Sequence, residues 1–332
     1  MQNEQTPSLL QQKRPLVSFI VTTYNMPHQL LRECLESIGA LGLDDDECEI
    51  VLVDDGSEVT PLAELSDWQD RMVYLRQQNC GLSVARNNGL RISTGRYIQF
   101  VDGDDCLLSN TYRQCLEWVK EHDADMMLFG LNTQSARDSE DDIAIEGPMT
   151  GASYLHNHNL RASACGYLFR RLMLDNLRFT PGIYHEDEEF TPQLLLRAET
   201  VASTNAPAYY YRHRQHSITT ETDKRKVIKR LNDSLTVIRK LHRIADTLPN
   251  NERLALNRRV AQLTMDYIYN VIMQTRDRHY LDRKLDELRD DGLLPLPDRD
   301  YTMKYKWFRR LTISSAGLTL LMNVLPLTSK ER

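Results

Sequence analysis

Residues 15–25, with the sequence PLVSFIVTTYN, decide the fold of this 332-residue chain. The run is rich in apolar and β-branched residues and ends at the turn-forming residues Asn25 and Pro27, which predicts a buried strand. A segment over about residues 28–40 follows, and its apolar side chains recur at three-and-four spacing, as on one face of a helix. The sequence therefore predicts a strand followed by a helix at this point.

The same alternation continues along the chain. Helices are predicted at about residues 83–92 and 109–122, the second with Ser109 as its N-cap. Further strands are predicted at about residues 49–53, 72–75, 97–101 and 125–130. Apolar strands that alternate with amphipathic helices are typical of a mostly parallel sheet covered on both sides. The sequence therefore predicts an α/β fold.

The character of the sequence changes along the chain. The stretch from 134 to 147 is polar and acidic, which predicts an exposed loop, and from about Lys224 the pattern is that of long amphipathic helices with core-packing stripes. We therefore expect a disordered leader at 1–14, an α/β domain at 15–222, a helical extension at 223–300 and a basic, aromatic tail at 301–332.

Composition and charge disfavour several classes of protein. The chain is 41% hydrophobic and 27% charged, which is ordinary for a globular protein. Its net charge of −6 argues against a dedicated nucleic-acid binder. The six cysteines lie scattered, without the spacing of a zinc site, which indicates reduced thiols in a cytoplasmic protein. The sequence contains no Walker loop and no G-x-G-x-x-G, so kinases, ATPases and dinucleotide dehydrogenases are disfavoured.

Two acidic clusters follow predicted strands. Asp54-Asp55-Gly56-Ser57 comes after the second strand and Asp102-Gly103-Asp104-Asp105 after the fourth. Open α/β sheets bind ligands at the carboxyl ends of their strands, so both clusters are expected at one crevice. Carboxylates at this place suit a divalent cation or a ribose hydroxyl, although aspartate and glycine are also common in ordinary turns.

Two further segments carry candidate chemistry. Gly81 to Gly89, GLSVARNNG, opens a predicted helix, and Arg86 within it suits a diphosphate or a surface ion pair. Tyr184 to Phe190, YHEDEEF, places four carboxylates in a row. One of them suits a general base that deprotonates an attacking hydroxyl, and the alternative is an acidic first helical turn that the helix dipole favours.

The joint pattern is more specific than its parts. Strand-Thr-Tyr-Asn, Asp-Asp-Gly-Ser, Gly-Leu-Ser-x-Ala-Arg-Asn-x-Gly, Asp-Gly-Asp-Asp and Glu-Asp-x-x-Phe follow one another in this order. This set resembles the inverting family-two glycosyltransferases of GT-A fold over about residues 15–220. The resemblance implies the GT-A fold with a mostly parallel central sheet, followed here by a C-terminal helical extension.

The resemblance also implies a role for each matched residue. Thr23 and Tyr24 would border the nucleotide, Asp54 or Asp55 would bind the base, Arg86 would approach the diphosphate, Asp102 and Asp104 would match the metal-binding D-x-D motif, and Asp187 would be the catalytic base with Glu186 beside it. Which of the last two acts is left open. Cys165 to Arg171 and Tyr210 to Ile218 resemble the acceptor half, where Arg212, His213 or His216 would reach the diphosphate or lie at the surface.

The C-terminal tail is distinguished by its positive charge and its aromatic residues. Residues 301–332 carry a net charge of +5, and Tyr305, Trp307 and Phe308 lie among the cations. Leu311 to Leu327 is uncharged but too short and too polar to span a bilayer comfortably. The tail is expected either to lie on a membrane surface or to pack on protein.

The implied function is a metal-dependent, hexosyltransferase-type glycosyltransferase. It would move a sugar from a nucleoside-diphosphate sugar, with a UDP-sugar preferred, to a hydroxyl of a glycan or lipid-linked acceptor in cell-surface polysaccharide synthesis. The cofactor would be Mn²⁺ or Mg²⁺, and the location cytoplasmic and peripheral at the inner face of the membrane. The alternatives are a sugar nucleotidyltransferase, for which residues 22–29 lack a glycine-rich basic loop, and a non-catalytic sugar- or lipid-binding module with a degenerate fold.

Overall fold

The structure is a computed structural model that describes residues 14–134, 138–213 and 223–328. The chain forms two compact units. Within the described ranges, the first unit takes residues up to 146, 165–176 and 202–212, and the second takes 147–164, 177–201 and the remainder from 213 onward. The expected leader at 1–14 lies outside the described residues apart from Arg14, and the predicted domain boundaries stay predictions.

The secondary structure alternates in the first part of the chain and is helical in the last part. The strands are β1 Val17–Thr23, β2 Cys48–Asp54, β3 Met72–Arg76, β4 Tyr97–Asp102, β5 Cys106–Leu107, β6 Met126–Asn132, β7 Glu146–Met149, β8 Tyr167–Arg170 and β9 Val201–Tyr210. The helices are α1 His28–Gly39, α2 Leu82–Ile92, α3 Ser109–His122, α4 Gly151–Asn157, α5 Glu186–Leu195, α6 Lys224–Thr247, α7 Asn250–Thr275, α8 Arg278–Asp290, α9 Met303–Thr312 and α10 Ser315–Thr328.

The central sheet of the first unit is mixed, with its parallel part at one side. Its strands follow the order β3-β2-β1-β4-β8-β6-β9-β5. Strands β3, β2, β1 and β4 are parallel, whereas β8 pairs antiparallel with both β4 and β6. The α/β prediction is confirmed, and each strand and helix predicted between residues 28 and 130 is present within two residues of its expected bounds.

The core of the first unit forms around β1. All seven residues of this strand are buried, and the apolar face of α1 packs in the same cluster through Leu31, Cys34, Leu35 and Ile38. Gly89 lets α2 approach the sheet closely, since a Cβ on this residue would lie 2.3 Å from Ile20 Cγ2. Close packing of α2 fixes the segment that carries Arg86.

One predicted cap is wrong. Ser109 is the first residue of α3, and the N-cap position is taken by Leu108, whose side chain makes no capping bond. Asp138 replaces the expected cap, because its carboxylate accepts the backbone N–H groups of Asn110 and Thr111. The acidic loop therefore supplies the anion that the start of the helix favours.

The second unit has a separate helical core. The predicted stripes are confirmed, because Leu231, Leu235, Ile238 and Leu241 of α6 and Val260, Leu263, Tyr267 and Val271 of α7 are buried together. The tail joins this core through one side of α9 and α10. Among the described residues, no helix combines the length and apolar content that crossing a bilayer requires.

Candidate active site

Parallel pairing aligns the predicted site residues of the first unit. The register sets Thr23 of β1 beside Asp54 of β2, and Thr22 of β1 beside Asp102 of β4. These residues end three neighbouring strands, at the edge where open α/β sheets bind ligands. Thr23 is buried, whereas the next residue, Tyr24, is half exposed. The two acidic clusters therefore lie at one sheet edge, as the sequence predicts.

Asp54 holds the turn that follows β2. Its side chain is fully buried, with Oδ1 accepting the backbone N–H of Ser57 at 2.8 Å and Oδ2 accepting the Tyr74 hydroxyl at 2.8 Å. Gly56 adopts φ +80° in this turn, and a Cβ there would lie 2.7 Å from the backbone nitrogen of Asn79. Glycine is thus required by both the conformation and the space.

Asp55 organises the loop that leads into α2. Its Oδ1 accepts Gln77 Nε2 at 2.6 Å and the backbone N–H of Cys80 at 2.9 Å, and its Oδ2 accepts the backbone N–H of Gly81 at 2.8 Å. Gly81 adopts φ +88° as the N-cap of α2. The carboxylates of Asp54 and Asp55 thus build the local structure, and contact of either one with a nucleotide base stays a prediction.

Arg86 lies on α2 against the end of β4. Its guanidinium Nη2 is 3.0 Å from Oδ1 of Asp102, and the Arg86 side chain is 5% exposed. Its guanidinium carbon also lies 5.8 Å from the ring centre of Phe100. A buried cation is held in place by such a pair, and a guanidinium at this edge of the sheet is suited to an anionic group. Two residues matched separately to the family motifs therefore touch.

The three carboxylates of the Asp-Gly-Asp-Asp turn differ in burial. Asp102 and Asp104 are partly exposed, whereas Asp105 is buried. The Tyr209 hydroxyl donates to Asp105 Oδ2 at 2.9 Å, and the backbone N–H of Arg212 donates to Oδ1 at 2.8 Å. Burial, with the charge of Asp102 as a lesser cause, raises the pKa of Asp105 to about 8. Asp105 therefore fixes the turn from inside, and Asp102 and Asp104 face outward.

Among the described residues, one further grouping of possible metal ligands was not predicted. Ligand atoms of Asp102, Asp105 and Cys165 lie within 4.8 Å of one another. Mg²⁺ and Mn²⁺ prefer oxygen ligands, and both oxygens of Asp105 already accept hydrogen bonds. The donor chemistry therefore fits such a cation at the outward carboxylates of Asp102 and Asp104 better than at the buried thiol.

Arg212 contacts this turn through its guanidinium. Its Nε donates to the carbonyl oxygen of Asp104 at 2.9 Å, and its Nη2 donates to Glu33 Oε2 at 2.6 Å. The Arg212 guanidinium therefore supports the Asp-Gly-Asp-Asp turn in this structure, and its approach to a diphosphate stays a prediction. His213 is exposed, and His216 lies outside the described residues.

In the second unit, the four consecutive carboxylates form the first turn of α5. Glu188 pairs with Arg259 of α7, and Glu189 pairs with Lys240 of α6 while also accepting the Thr180 hydroxyl at 2.8 Å. Asp187 and Glu186, the two candidate bases, precede these anchored residues and are half-buried. Two ion pairs thus fix the helix that presents them.

Sequence reasoning assigned no role to several residues that support the site. They are Asp105, Tyr209, Glu33, and the two cations that anchor α5, Lys240 and Arg259. The sequence around Tyr209 gives no sign that its hydroxyl has a partner. Arg259 lies within a helix whose apolar pattern predicts only core packing. The only sequence signal was the third aspartate of Asp-Gly-Asp-Asp, which exceeds what a D-x-D motif needs.

Known proteins resemble this chain in sequence and in fold. Residues 18–172 match the family model "Glycosyl transferase family 2". The uncharacterized glycosyltransferase EpsJ of Bacillus subtilis is 32% identical over 220 residues, which are 62% of this chain and 63% of EpsJ. The alignment thus spans less than two thirds of that relative.

Two solved structures share the fold. Staphylococcus aureus TarS 1-349 in complex with UDP-GlcNAc superposes with a TM-score of 0.65 at 18% identity, covering 95% of this chain and 91% of that one. The mannosyltransferase PcManGT of Pyrobaculum calidifontis, with GDP-Man and Mn²⁺, gives a TM-score of 0.54 at 17% identity over 96% and 88% of the two chains. The two structures show that this chain has the GT-A fold, and its residues 18–172 match glycosyl transferase family 2.

Proposed function

We propose that the protein is an inverting glycosyltransferase that transfers a sugar from a nucleoside-diphosphate sugar to an acceptor hydroxyl. The observation that carries the proposal is the pair of the buried Arg86 with the partly exposed Asp102 at the end of β4. It places a cation and a carboxylate side by side at the ligand-binding edge of the sheet, where a diphosphate and its counter-ion need them.

Asp102 and Asp104 would hold the divalent cation. They are the partly exposed carboxylates of the turn, and carboxylate oxygens suit Mn²⁺ or Mg²⁺. When bound, the cation would neutralise charge on the departing diphosphate. Arg212, through the Asp104 carbonyl, and Tyr209, through Asp105, keep the turn in shape. The complex of PcManGT with GDP-Man and Mn²⁺ supports this part of the proposal.

The nucleotide would bind between the ends of β1 and β2. Tyr24 is half exposed there and offers a ring, and the turn built by Asp54 and Asp55 forms the adjoining wall. We propose UDP as the nucleotide, which the complex of TarS with UDP-GlcNAc supports. The experiment below identifies the donor sugar.

Asp187 would take the proton of the acceptor hydroxyl, and Glu186 is the alternative. Glu188 and Glu189 are disfavoured because each is engaged by a cation of a neighbouring helix. A single displacement with one base forms no covalent intermediate and inverts the anomeric centre. The acceptor would be a glycan or lipid-linked hydroxyl in cell-surface polysaccharide synthesis, and the protein would act at the inner face of the membrane.

The test is a thermal shift of the purified chain across a panel of nucleoside-diphosphate sugars, with MnCl₂ or with EDTA. A ligand that binds only the folded state at 100 times its Kd stabilises it by about 2.7 kcal/mol. We expect one UDP-sugar to raise Tm with Mn²⁺ and not with EDTA, and Asp104→Asn to lose the shift. Asp290→Asn, at an exposed carboxylate of α8, is the matched control. No shift with any donor at millimolar concentration contradicts the proposal.

A further inference from the structure

Helices α9 and α10 are attached to the second unit by one side only. Tyr305 and Phe308 of α9 and Leu318 and Leu321 of α10 are buried in its helical core. Arg278 adds polar contacts, because its guanidinium donates to the hydroxyls of Thr319 and Ser315. The two helices are therefore a fixed part of the unit, and each has a second side that faces outward.

The outward sides carry a concentration of apolar residues. Ten large hydrophobic residues are exposed in the described chain, and five of them lie between residues 303 and 324. They are Met303, Trp307, Ile313, Leu320 and Val324, with exposed fractions from 43% to 69%. In sequence Met303 and Trp307 are four residues apart, as are Leu320 and Val324, so each pair lies on one helix face. We call these five residues the outer face.

The charge of this segment has one sign. Residues 301–328 contain Lys304, Lys306, Arg309 and Arg310 and no Asp or Glu. Lys306 and Arg309 form ion pairs with Asp300 and Asp298. Lys304 Nζ lies 5.3 Å from the ring centre of Tyr269, and the Arg310 guanidinium carbon lies 5.5 Å from that of Trp307. Two of the four cations next to the outer face thus lie near aromatic rings, and the other two are paired with acids.

We infer that the outer face docks on a bilayer that contains anionic lipid. An exposed tryptophan beside an arginine matches the headgroup region, exposed aliphatic side chains match the layer beneath it, and four cations within a stretch that itself contains no acid match a negative surface. A second copy of the chain fits less well, because pairing two such faces would bring like charges together. No described helix can span the bilayer, so the helices would lie on it. This inference gives a physical basis to the proposed location and does not depend on the proposed catalysis.

The experiment is co-sedimentation of the full-length chain with sucrose-loaded vesicles. One set contains phosphatidylcholine alone, and the other contains phosphatidylcholine with one quarter phosphatidylglycerol. The variants are Trp307→Ala, the pair Leu320→Ser with Val324→Ser, and the pair Lys304→Glu with Arg310→Glu. All alter exposed side chains, so the fold is retained. Leu254→Ser and Arg243→Glu, at exposed positions of α7 and α6, are the matched controls.

We expect binding to the anionic vesicles that weakens with salt. Each basic residue near an anionic surface contributes about 1 kcal/mol, so reversing two should lower the partition coefficient at least about tenfold. The apolar variants should lower it several-fold, and the controls should match the wild type. A wild type that stays in the supernatant, or variants that all bind equally, overturns the inference. A change of oligomeric state in light scattering, without vesicle binding, assigns the face to a second copy.

The two proposals fail separately. Vesicle binding needs no sugar nucleotide, and the donor-dependent thermal shift needs no vesicle. If the protein binds a donor but not lipid, the glycosyltransferase proposal stands and the docking surface is refuted. If it binds lipid but no donor, the docking surface stands and the glycosyltransferase proposal is refuted.

Discussion

The hydroxyl of Tyr209 donates to Oδ2 of Asp105 at 2.9 Å, across 104 residues of sequence. The same hydroxyl oxygen accepts the backbone N–H of Asp102 at 3.0 Å. One phenol of β9 therefore fixes both ends of the turn whose outward carboxylates we assign to the cation. The geometry of that turn depends on a strand far from it in sequence.

Tyr209→Phe should destabilise the protein and loosen the cation site. The substitution leaves a buried carboxylate oxygen of Asp105 and the N–H of Asp102 without this partner, which costs about 1–3 kcal/mol. We expect a lower free energy of unfolding in urea and weaker Mn²⁺-dependent donor binding. Tyr210→Phe, at the next residue, is the comparison. Equal stability of Tyr209→Phe and the wild type would show that the bond does not hold the turn.

Arg86→Met should remove donor binding. It leaves Asp102 without its 3.0 Å partner and removes the cation proposed for the diphosphate. Breaking a fully buried pair typically costs about 3–5 kcal/mol, and a smaller loss is expected here because Asp102 is partly exposed, so stability is measured alongside binding by isothermal calorimetry. Arg91→Met, at an exposed position of the same helix, serves as control. Arg86→Lys should restore the positive charge but not the two-pronged donor geometry of a guanidinium. It should therefore recover only part of the affinity for the donor.

Asp187→Asn should separate binding from turnover. If Asp187 is the base, the variant should keep the donor-induced thermal shift and lose about 10²- to 10⁴-fold in kcat. The measurement is nucleoside-diphosphate release with the donor found in the panel and a hydroxyl acceptor. Glu186→Gln is the paired variant. Wild-type turnover in Asp187→Asn together with a loss in Glu186→Gln would transfer the role to Glu186.

Arg259→Met should impair catalysis through α5. Arg259 pairs with Glu188, next to the candidate base, and also donates to the carbonyl oxygen of Leu160 at 2.9 Å. We expect reduced kcat with donor affinity unchanged, and partial rescue in Arg259→Lys. Arg289→Met, in an exposed pair with Asp286, controls for loss of a surface cation. A variant that loses stability but keeps kcat would limit Arg259 to a structural role.

Gly56→Ala should disturb the turn after β2. At φ +80° a methyl group is strained, and it would lie 2.7 Å from the backbone nitrogen of Asn79. The expected results are a loss of about 1–3 kcal/mol of stability and weaker donor binding, measured by urea denaturation and calorimetry. Gly42→Ala provides the contrast, because Gly42 also has φ +66° but has no atom within 4 Å of the added methyl group. If both variants behave alike, the conformation and not the contact sets the cost.

The sequence predicts what is local in this fold. Strand β1 and helix α1 follow from spacing between neighbouring residues, and the positions of Asp54 and Asp102 follow from the ends of their strands. The partners of the carboxylates at these strand ends do not follow, because Tyr74 reaches Asp54, Gln77 reaches Asp55 and Tyr209 reaches Asp105 through tertiary contacts. Ser109 fails as an N-cap for the same reason, since Asp138 arrives from a later loop.

The roles of the individual carboxylates in the two acidic runs could be separated only from tertiary contacts. In residues 186–189 the sequence offers four equivalent carboxylates, and the choice narrows only when Lys240 and Arg259 are seen to engage two of them. In residues 102–105 burial separates Asp105 from Asp102 and Asp104. Charge and spacing are identical before folding, and the environment makes the residues different.

The interleaving of the two units along the chain has a consequence for biosynthesis. The first unit takes its last strand from residues 202–212, after two excursions of the chain into the second unit. Translation must therefore continue 107 residues beyond Asp105 before Tyr209 and Arg212 can both reach the turn at residues 102–105. Until then a nascent chain holds Asp105 without these two partners, so the proposed cation site is completed only after residue 212 is made, and a product truncated before it would lack the site.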